Sequence, residues 1–284
     1  FAWHPVRTFL ATVGDNRIVN LFNRLGDEYA ELPLPGTTGA AMQLAWSDDG
    51  ETLAVLQINS PIITLWDSNQ NAASELNTGV KEELSWITWS QTSPQLAIGT
   101  AKGNLLLYNR RTLKQVTVAS KHVKRITSGA WTPCGMLVLA SEDRQVTVSD
   151  GEGDTVAQVT LKGEGSLIKV APPRGGAASA GGGASVVSVA SGVSSLLVFS
   201  TDRATYGSEL KLSSKYGRLV DYHWISPDLV AVAYEAGHLV VCSTRNGGEA
   251  LYQEQLHPAK MASVAPSTAP LGAPTGAGNP GPGL

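Results

Sequence analysis

The 284-residue sequence contains little of what secreted or membrane-spanning chains depend on. Its two cysteines, Cys134 and Cys242, cannot form a disulfide framework, which fits a reducing compartment. No apolar run approaches the roughly 18–20 residues that span a bilayer, so no transmembrane segment is predicted. The chain begins with Phe1, inside a patterned segment and without a recognisable signal peptide, so we expect the sequence to be a fragment.

Charge is also scarce, and neither sign prevails. Charged residues make up 16% of the chain, well below the roughly 25% of typical soluble domains. The chain has 21 basic and 24 acidic residues, a net charge of −3. This balance argues against a global electrostatic attraction for nucleic acid or for an anionic membrane. Persistent apolar stripes with a 3.6-residue period are lacking too, so the sequence predicts no amphipathic helix.

Tryptophan, by contrast, recurs at a nearly constant interval. Trp3, Trp46, Trp89 and Trp131 are separated by 43, 43 and 42 residues, and Trp224 follows 93 residues after the fourth. The last interval corresponds to about two further periods plus an insertion. A fixed period of this length indicates a repeat architecture, because the blades of β-propellers have the same length.

Each tryptophan is followed by the same short pattern. Seven residues after the first three tryptophans come Leu10, Leu53 and Leu96, each followed by alanine, and Leu139 is assigned the equivalent position in the fourth unit. Between tryptophan and leucine lies a polar turn such as 47–50, whose Asp and Gly residues suit a tight hairpin. The pattern therefore predicts pairs of adjacent β-strands.

A further alternating strand closes each unit. The clearest example contains the Trp66-Asp67 pair that names the WD repeat. Its counterparts share an alternating apolar pattern that ends in a small polar residue: 19–23, 105–109, 146–150, 196–200 and 239–243. Because a period of two is typical of strands, four short strands in each unit predict an all-β fold, the WD-repeat β-propeller. A β-sandwich with a chance spacing of tryptophans is the alternative.

The expected domain organisation is one propeller over 1–258, with six blades present of a seven-bladed ring. The blades are predicted near 1–35, 36–78, 79–119, 120–160, 161–212 and 213–258. A glycine- and alanine-rich insert at 171–185 has too little apolar surface to offset the entropy of ordering, so we expect it to be disordered. In 259–284 we expect a partial strand near 261–265, followed by a disordered proline- and glycine-rich tail.

The sequence carries no recognisable catalytic or ligand-binding motif. The five histidines, His4, His122, His223, His238 and His257, lack metal-ligand spacing. A nucleophile elbow, a phosphate-binding glycine loop and a zinc-protease motif are all lacking, and the inner-strand positions are read as Val, Leu, Ile and Ala. We therefore predict a non-enzymatic chain without cofactor or metal. A propeller hydrolase or lyase that uses the central channel is the competing hypothesis.

One histidine has a structural interpretation. His122 lies nine residues before Trp131, where WD repeats often place a histidine. There it can bond an aspartate in the turn between the second and third strands, here Asp143. Such networks usually end on a tryptophan, but Ser149 stands at that position. We interpret the group as a partial structural hydrogen-bond network.

The middle of the chain has one marked charge asymmetry. Between Glu83 and Glu142 there is no acidic residue, while Lys102 and six further basic residues fall in this interval. The six form a candidate partner-binding basic patch: Arg110, Arg111, Lys114, Lys121, Lys124 and Arg125. Such a patch could receive an acidic partner or a phosphoinositide headgroup. The alternative is a solvated outer edge whose lysines discourage sheet pairing.

Several stretches are similar to one known family. They lie in collinear order over about 1–258: Phe1-Ala2-Trp3, 65–69, 99–106, Tyr108-Asn109, 121–131, 152–155 and 237–244. Together they resemble the N-terminal propeller of the WD repeat-containing protein 19 family. The Lys-Gly-Asn-Leu-Leu stretch at 102–106 and the Glu-Gly-Asp-Thr stretch at 152–155 make the resemblance more specific than the WD pair alone.

The resemblance implies a function in cilia. Members of this family are core subunits of intraflagellar transport complex A, in which two propellers precede a helical tail. The implied role is a scaffold for retrograde ciliary transport and for entry of ciliary membrane proteins. Expected partners are other complex A subunits, with ciliary membrane cargo or its adaptors, at the cilium and the ciliary base on the cytoplasmic side. The alternative is a WD-repeat adaptor of a vesicle coat or a ubiquitin ligase.

Overall fold

The computed structural model contains β-strands and a single short helix among the residues it describes. The 3-10 helix Ser214–Tyr216 is three residues long. Apart from the side chains of 203–206, the structure describes 1–6, 9–14, 16–34, 39–173, 184–245 and 247–256. The predicted partial strand and tail at 259–284, His257, and most of the insert at 171–185 lie outside the described residues.

The strands form six sheets of four. The first three sheets contain Ala2–Trp3 (β1), Leu10–Val13 (β2), Ile18–Phe22 (β3) and Glu28–Pro33 (β4); Ala41–Trp46 (β5), Thr52–Gln57 (β6), Ile62–Asp67 (β7) and Ala72–Asn77 (β8); Leu84–Trp89 (β9), Gln95–Thr100 (β10), Leu105–Asn109 (β11) and Lys114–Val118 (β12). The last three contain Ile126–Trp131 (β13), Leu137–Ser141 (β14), Gln145–Ser149 (β15) and Thr155–Thr160 (β16); Gly165–Val170 (β17), Val186–Ser191 (β18), Ser195–Ser200 (β19) and Arg203–Lys211 (β20); Leu219–Ser226 (β21), Leu229–Tyr234 (β22), His238–Ser243 (β23) and Ala250–Gln255 (β24).

Each sheet is an antiparallel meander of consecutive strands. The first strands of neighbouring sheets contact one another in the order β1, β5, β9, β13, β17 and β21. These six strands therefore line the inside of the assembly, and the fourth strand of each sheet lies at its outer edge. The predicted all-β propeller is confirmed, with six blades in the part of the chain that the structure describes.

The tryptophans occupy equivalent places in the pairing register. Trp3, Trp46 and Trp89 end the inner strands of the first three sheets and pair with Leu10, Leu53 and Leu96 on the second strands. The same position in the fourth and sixth sheets is held by Trp131 with Leu137 and by Trp224 with Val230. The assignment of Leu139 was wrong, because the fourth hairpin is one residue shorter and Leu139 lies opposite Gly129.

The turns between third and fourth strands share a capping residue. The side-chain oxygens of Asp67 and Asn109 each accept hydrogen bonds from the two backbone N–H groups that lie two and three residues later. Asn23 and Asp150 accept from residues two and four positions later. Each side chain thus satisfies donors that the turn would leave unpaired. Asp67 of the WD pair stabilises a turn, while Trp66 is buried between the first and second sheets.

The core lies between sheets rather than within one of them. Five clusters of buried apolar side chains fill the five interfaces between successive sheets. Alternate residues of one strand serve different interfaces: Leu53 and Val55 face the first sheet, whereas Ala54 and Leu56 face the third. Burying each large apolar side chain contributes about 1.5–3 kcal/mol, so a sheet is stabilised by the neighbours that cover it.

Side chains of the inner strands also hydrogen-bond to the backbone of the neighbouring inner strand. The bonds occur next to bulges in the pairing register. In each bond a side chain donates to a backbone carbonyl: Gln43 Nε2 to Ile87 O at 2.8 Å, Ser85 Oγ to Ile126 O at 2.7 Å, Thr127 Oγ1 to Gly165 O at 2.6 Å, and Tyr222 Oη to Leu167 O at 2.7 Å. This series joins five successive sheets around the axis.

Among the described residues, the first and last sheets each have one face without a neighbouring sheet. Leu10 and Phe22, on the face of the first sheet away from the second, are half-buried, as are Leu239 and Val241 on the corresponding face of the sixth sheet. No contact comparable to those between the other inner strands joins β21 to β1 in the described residues. A seventh blade between these faces stays a prediction.

Candidate functional site

The loops of the propeller lie at two ends of the sheets. We call the end that carries the loop before each inner strand, and the turn between second and third strands, the upper end. The turns between first and second and between third and fourth strands form the lower end.

His122 lies at the upper end of the fourth sheet and is 3% exposed. Its Nδ1 lies 3.1 Å from Asp143 Oδ2, and its Nε2 lies 3.1 Å from Thr147 Oγ1. Since an ionised carboxylate only accepts, Nδ1 carries the proton and Nε2 accepts from the Thr147 hydroxyl. The network ends at Thr147; the buried hydroxyl of Ser149 has no partner among the described residues.

The electrostatics of this network keep the histidine neutral. Burial lowers the pKa of His122, and the nearby Asp143 carboxylate only partly opposes this effect. Burial alone would raise the pKa of Asp143, but hydrogen bonds from the N–H groups of Val123 and Gln145, together with the contact with His122, outweigh this effect and lower the pKa. The group holds the loop before the fourth sheet against the turn between β14 and β15, and it offers no exposed atom for chemistry.

The six residues of the candidate basic patch do not form one surface. Arg110, Arg111 and Lys114 lie at the lower end of the outer strand β12, where the chain turns from β11. Lys121, Lys124 and Arg125 lie in the loop beyond its upper end. The five residues of β12 separate the two groups by about 15 Å or more, since a strand rises about 3.3 Å per residue.

Three of the six cations are already engaged within the chain. Arg110 pairs with Asp49 of the second sheet and lies 5.9 Å from the centre of the Trp89 ring. Arg125 makes two hydrogen bonds to Glu83, at 3.0 and 3.2 Å, which raise its own pKa and lower that of the carboxyl group.

The third engaged cation is a lysine at the outer edge. Lys121 Nζ donates to Gly153 O and to Thr155 Oγ1, both at 2.6 Å, and burial lowers its pKa despite Asp150 and Asp154 nearby. Arg111, Lys114 and Lys124 are the exposed members of the set.

A cavity at the upper end has a volume of about 950 Å³. It lies beside the inner strands of the fourth, fifth and sixth sheets. Its charged lining consists of Glu142, Arg144, Glu164, Arg218 and Glu235. Three carboxylates and two guanidinium groups nearly balance, so this opening has no strong preference for ligands of one charge.

A smaller cavity of about 200 Å³ lies at the lower end between the second and third sheets. Asp48, Asp49, Trp89, Arg110 and Arg111 contribute to its lining. The Arg110–Asp49 pair closes one side, so the cavity contains few uncommitted charges.

A polar cluster on the inner strands was missed by the sequence analysis. Lys169 of β17 lies 3.3 Å from Asp221 of β21, and His223 Nε2 lies 3.4 Å from the other oxygen of the same carboxylate. Burial favours the neutral carboxyl group, but the bonds from His223 and the Lys169 charge prevail and lower the pKa of Asp221. The expectation of purely apolar inner strands was therefore wrong at these positions.

Metal-binding clusters and membrane-spanning helices are both absent from the described part of the chain. It contains no group of three or more His, Cys, Asp or Glu side chains arranged to hold a metal. None of its helices is long and apolar enough to cross a membrane. Cys134 and Cys242 are free thiols among these residues.

Repeated tryptophan registers, capped turns and six meanders packed around an axis define a WD-repeat β-propeller. A family model described as "WDR19 first beta-propeller" matches residues 1–275. The chain belongs to this family. The resemblance noted from the sequence is thereby confirmed.

Curated relatives of the chain carry related names. "WD repeat-containing protein 19" of Homo sapiens is 36% identical over 275 residues, 94% of this chain and 20% of its own length. The Mus musculus protein of the same name is 33% identical over 93% of the chain, and "WD repeat-containing protein dyf-2" of Caenorhabditis elegans is 28% identical over 94%. The chain spans about a fifth of the length of these relatives.

Solved structures resemble the fold at low sequence identity. A chain in the crystal structure of the mitotic checkpoint complex matches with a TM-score of 0.75 and 14% identity, over 92% of this chain and 81% of that one. Sqt1 of Saccharomyces cerevisiae matches with a TM-score of 0.71 and 15% identity, over 90% and 74%. These likenesses show the fold alone.

Proposed function

We propose that this chain is the first propeller of a subunit of intraflagellar transport complex A. The observation that supports the proposal is the 36% identity to human WD repeat-containing protein 19 across 94% of the chain. The protein acts as a non-enzymatic scaffold in retrograde ciliary transport and in the entry of ciliary membrane proteins. It works at the cilium and the ciliary base, on the cytoplasmic side.

We propose that the chain acts by binding other proteins through the loops at the two ends of its sheets. Short rigid turns at both ends of six sheets expose many backbone and side-chain groups over two broad faces, which suits docking of several partners. The expected partners are other complex A subunits and ciliary membrane cargo or its adaptors. Most of the length of the relatives lies outside this chain, and their remaining domains share in the assembly.

The proposal is tested with tagged full-length protein expressed in ciliated cells. We expect affinity purification to recover other subunits of complex A and imaging to place the protein at the cilium and its base. A full-length variant that lacks this propeller serves as the matched comparison and reveals which partners depend on it. Recovery without any transport subunit, or localisation to a vesicle coat or ubiquitin ligase, would contradict the proposal and favour the alternative adaptor.

We also propose that a seventh blade fills the space between the first and sixth sheets. The half-buried faces around Phe22 and Val241 support this, because the corresponding faces of inner sheets are covered. In the full-length protein, hydrogen exchange in β3 and β23 should be slower than in the 284-residue chain. Exchange in β10 of the third sheet is the internal control and should not change. Equal exchange in β3 and β23 would contradict a seventh blade.

A further inference from the structure

Three loops meet at the upper end of the third sheet. The N–H of Ala101 donates to the carbonyl of Glu83, and the N–H of His122 donates to the carbonyl of Gly103, both within 2.9 Å. Asn104 links the same loops through its side chain, which donates to Glu82 and accepts from the N–H of Ser120. We call the loops 79–83, 101–104 and 119–125 the upper rim.

The upper rim is held rigidly. Gly103 has a φ of +84°, and a Cβ there would lie closer than contact distance to the carbonyl groups of His122 and Lys124. The turn that carries Lys102 therefore packs directly against the backbone of the loop that carries Lys124. Such a surface is ordered before a partner arrives, which reduces the entropy cost of binding.

The exposed charge of the upper rim is positive. Lys81, Lys102 and Lys124 are exposed, one from each loop. None of the three has a carboxylate within ion-pair distance in the described ranges.

The carboxylates of the rim, by contrast, have internal partners. Glu82 accepts from the side-chain amide of Asn104. Glu83 is bonded twice to Arg125. Three ammonium groups thus face solvent, and of the two carboxylates Glu83 is charge-balanced by Arg125, while Glu82 is bonded to a neutral amide.

An exposed apolar side chain lies among these cations. Val123 precedes Lys124 in the loop and is 81% exposed, while its backbone N–H is fixed by the Asp143 carboxylate. The side chain is directed outward by a loop that is bonded on its inner side. A partner that covers Val123 would gain apolar burial in addition to charge pairing.

We propose that the upper rim binds an acidic peptide segment of a partner protein, in which one apolar side chain contacts Val123. An anionic membrane has the same charge, but a flat bilayer would gain little further attraction beyond the rim, because three carboxylates and two guanidinium groups nearly balance around the 950 Å³ cavity. A narrow segment pairs with the rim cations, where the positive charge is concentrated, and can also cover Val123, so a peptide is the occupant that these observations favour. The inference goes beyond the proposed function, since it does not depend on which complex contains the chain.

The test measures binding of a short, labelled, glutamate-rich peptide with a single leucine to the 284-residue chain by fluorescence anisotropy. Charge reversal in the double variant K102E/K124E should raise Kd about tenfold or more, because two close attractive pairs become repulsive. The matched control is R111E/K114E, which reverses the two exposed cations at the lower end of β12 and should leave Kd within about twofold. Circular dichroism verifies that each variant remains folded.

The apolar contact is tested by changing Val123 and the leucine of the peptide separately and together. Val123→Ser should raise Kd about threefold for the leucine peptide, and it should have no effect on a peptide in which serine replaces leucine. Equal Kd values for K102E/K124E and R111E/K114E would overturn the proposal. So would the finding that K102E/K124E loses binding to anionic phosphatidylserine vesicles but still binds the peptide. These readouts are independent of complex A, so failure here leaves the proposed function standing.

Discussion

The imidazole of His4 lies against the α-carbon of Gly50. His4 Nε2 donates to the Gly50 carbonyl at 3.0 Å, because its Nδ1 accepts from the N–H of Val6 at 3.1 Å and so carries no proton. His4 is 2% exposed and its ring is 4.6 Å from that of Trp46. The pair joins the end of the first sheet to the first hairpin of the second sheet.

This contact predicts that Gly50→Ala strongly destabilises the chain. Gly50 has a φ of +71°, and an added Cβ would overlap the His4 ring. Left-handed backbone strain costs about 1–2 kcal/mol for an L-residue, and displacing the ring adds about 1–3 kcal/mol. The free energy of unfolding, measured with urea, should therefore fall by about 3 kcal/mol.

The matched control is Gly79→Ala. Gly79 has a nearly identical φ of +69°, but an added Cβ would meet nothing within 4 Å. This variant should lose only the strain of about 1 kcal/mol. Equal losses in the two variants would contradict the role assigned to His4.

The repeat could be found from the sequence because local chemistry recurs in it. Trp46 and Trp89 end inner strands and are followed by leucines at one spacing, which the pairing register reproduces. The fourth unit was misaligned because its hairpin is a residue shorter, and alternation alone admits Leu137 and Leu139 equally. A pattern with a period of two cannot distinguish positions that differ by two.

The candidate site was less accessible to sequence reasoning. The basic residues are close together in sequence, but β12 separates Arg110 from Arg125, and acidic residues from other sheets or loops neutralise both. Lys169 and Asp221 are 52 residues apart in the two least regular repeats, on strands whose register is shifted by bulges. Ion pairing between residues far apart in sequence depends on how the sheets pack, and no local sequence motif predicts it.

The His122 network predicts a pH dependence of stability. Folding lowers the pKa of His122, so as pH falls below about 6.5 the unfolded chain takes up a proton first. This histidine's stabilising contribution is present above that pH and is lost as pH falls toward the folded-state pKa. Asp143 also has a lowered pKa, but as a carboxylate it loses its contribution only at more acidic pH.

The measurement compares urea midpoints at about pH 7.5 and about pH 5.5 for the original chain and for His122→Gln. Glutamine can bond Asp143 without titrating, so the variant should lose less stability on acidification than the original chain. The remaining histidines are present in both proteins, and their effects cancel in the comparison. An unchanged pH dependence in His122→Gln would show that this ring does not titrate as argued.

A bond between inner strands supplies another prediction. Thr127 Oγ1 donates to Gly165 O across the interface of the fourth and fifth sheets. Thr127→Val keeps the shape but leaves that carbonyl without its partner, so the free energy of unfolding should fall by about 1–3 kcal/mol. Thr117→Val is the control, since Thr117 is exposed on the outer strand β12 and its replacement should change stability by less than about 0.5 kcal/mol.

Two equivalent tryptophans should differ in their tolerance of phenylalanine. Trp89 Nε1 donates to the carbonyl of Ala45 at 3.2 Å, which links the third sheet to the second. Trp131 holds the same place in the fourth sheet and is 3% exposed, but its Nε1 has no partner among the described residues. Trp89→Phe therefore removes a hydrogen bond between two sheets, whereas Trp131→Phe removes a donor that has no partner among the described residues.

Both substitutions reduce the apolar volume by a similar amount, so the difference between them reports the hydrogen bond together with the weaker contact of Arg110 with the Trp89 ring. Trp89→Phe should lower the free energy of unfolding by about 1–2 kcal/mol more than Trp131→Phe does. Urea unfolding followed by far-ultraviolet circular dichroism measures both values without relying on tryptophan fluorescence. If Trp131→Phe were the more damaging change, the Trp89–Ala45 bond would not be the feature that distinguishes the two interfaces, and cavity formation would dominate.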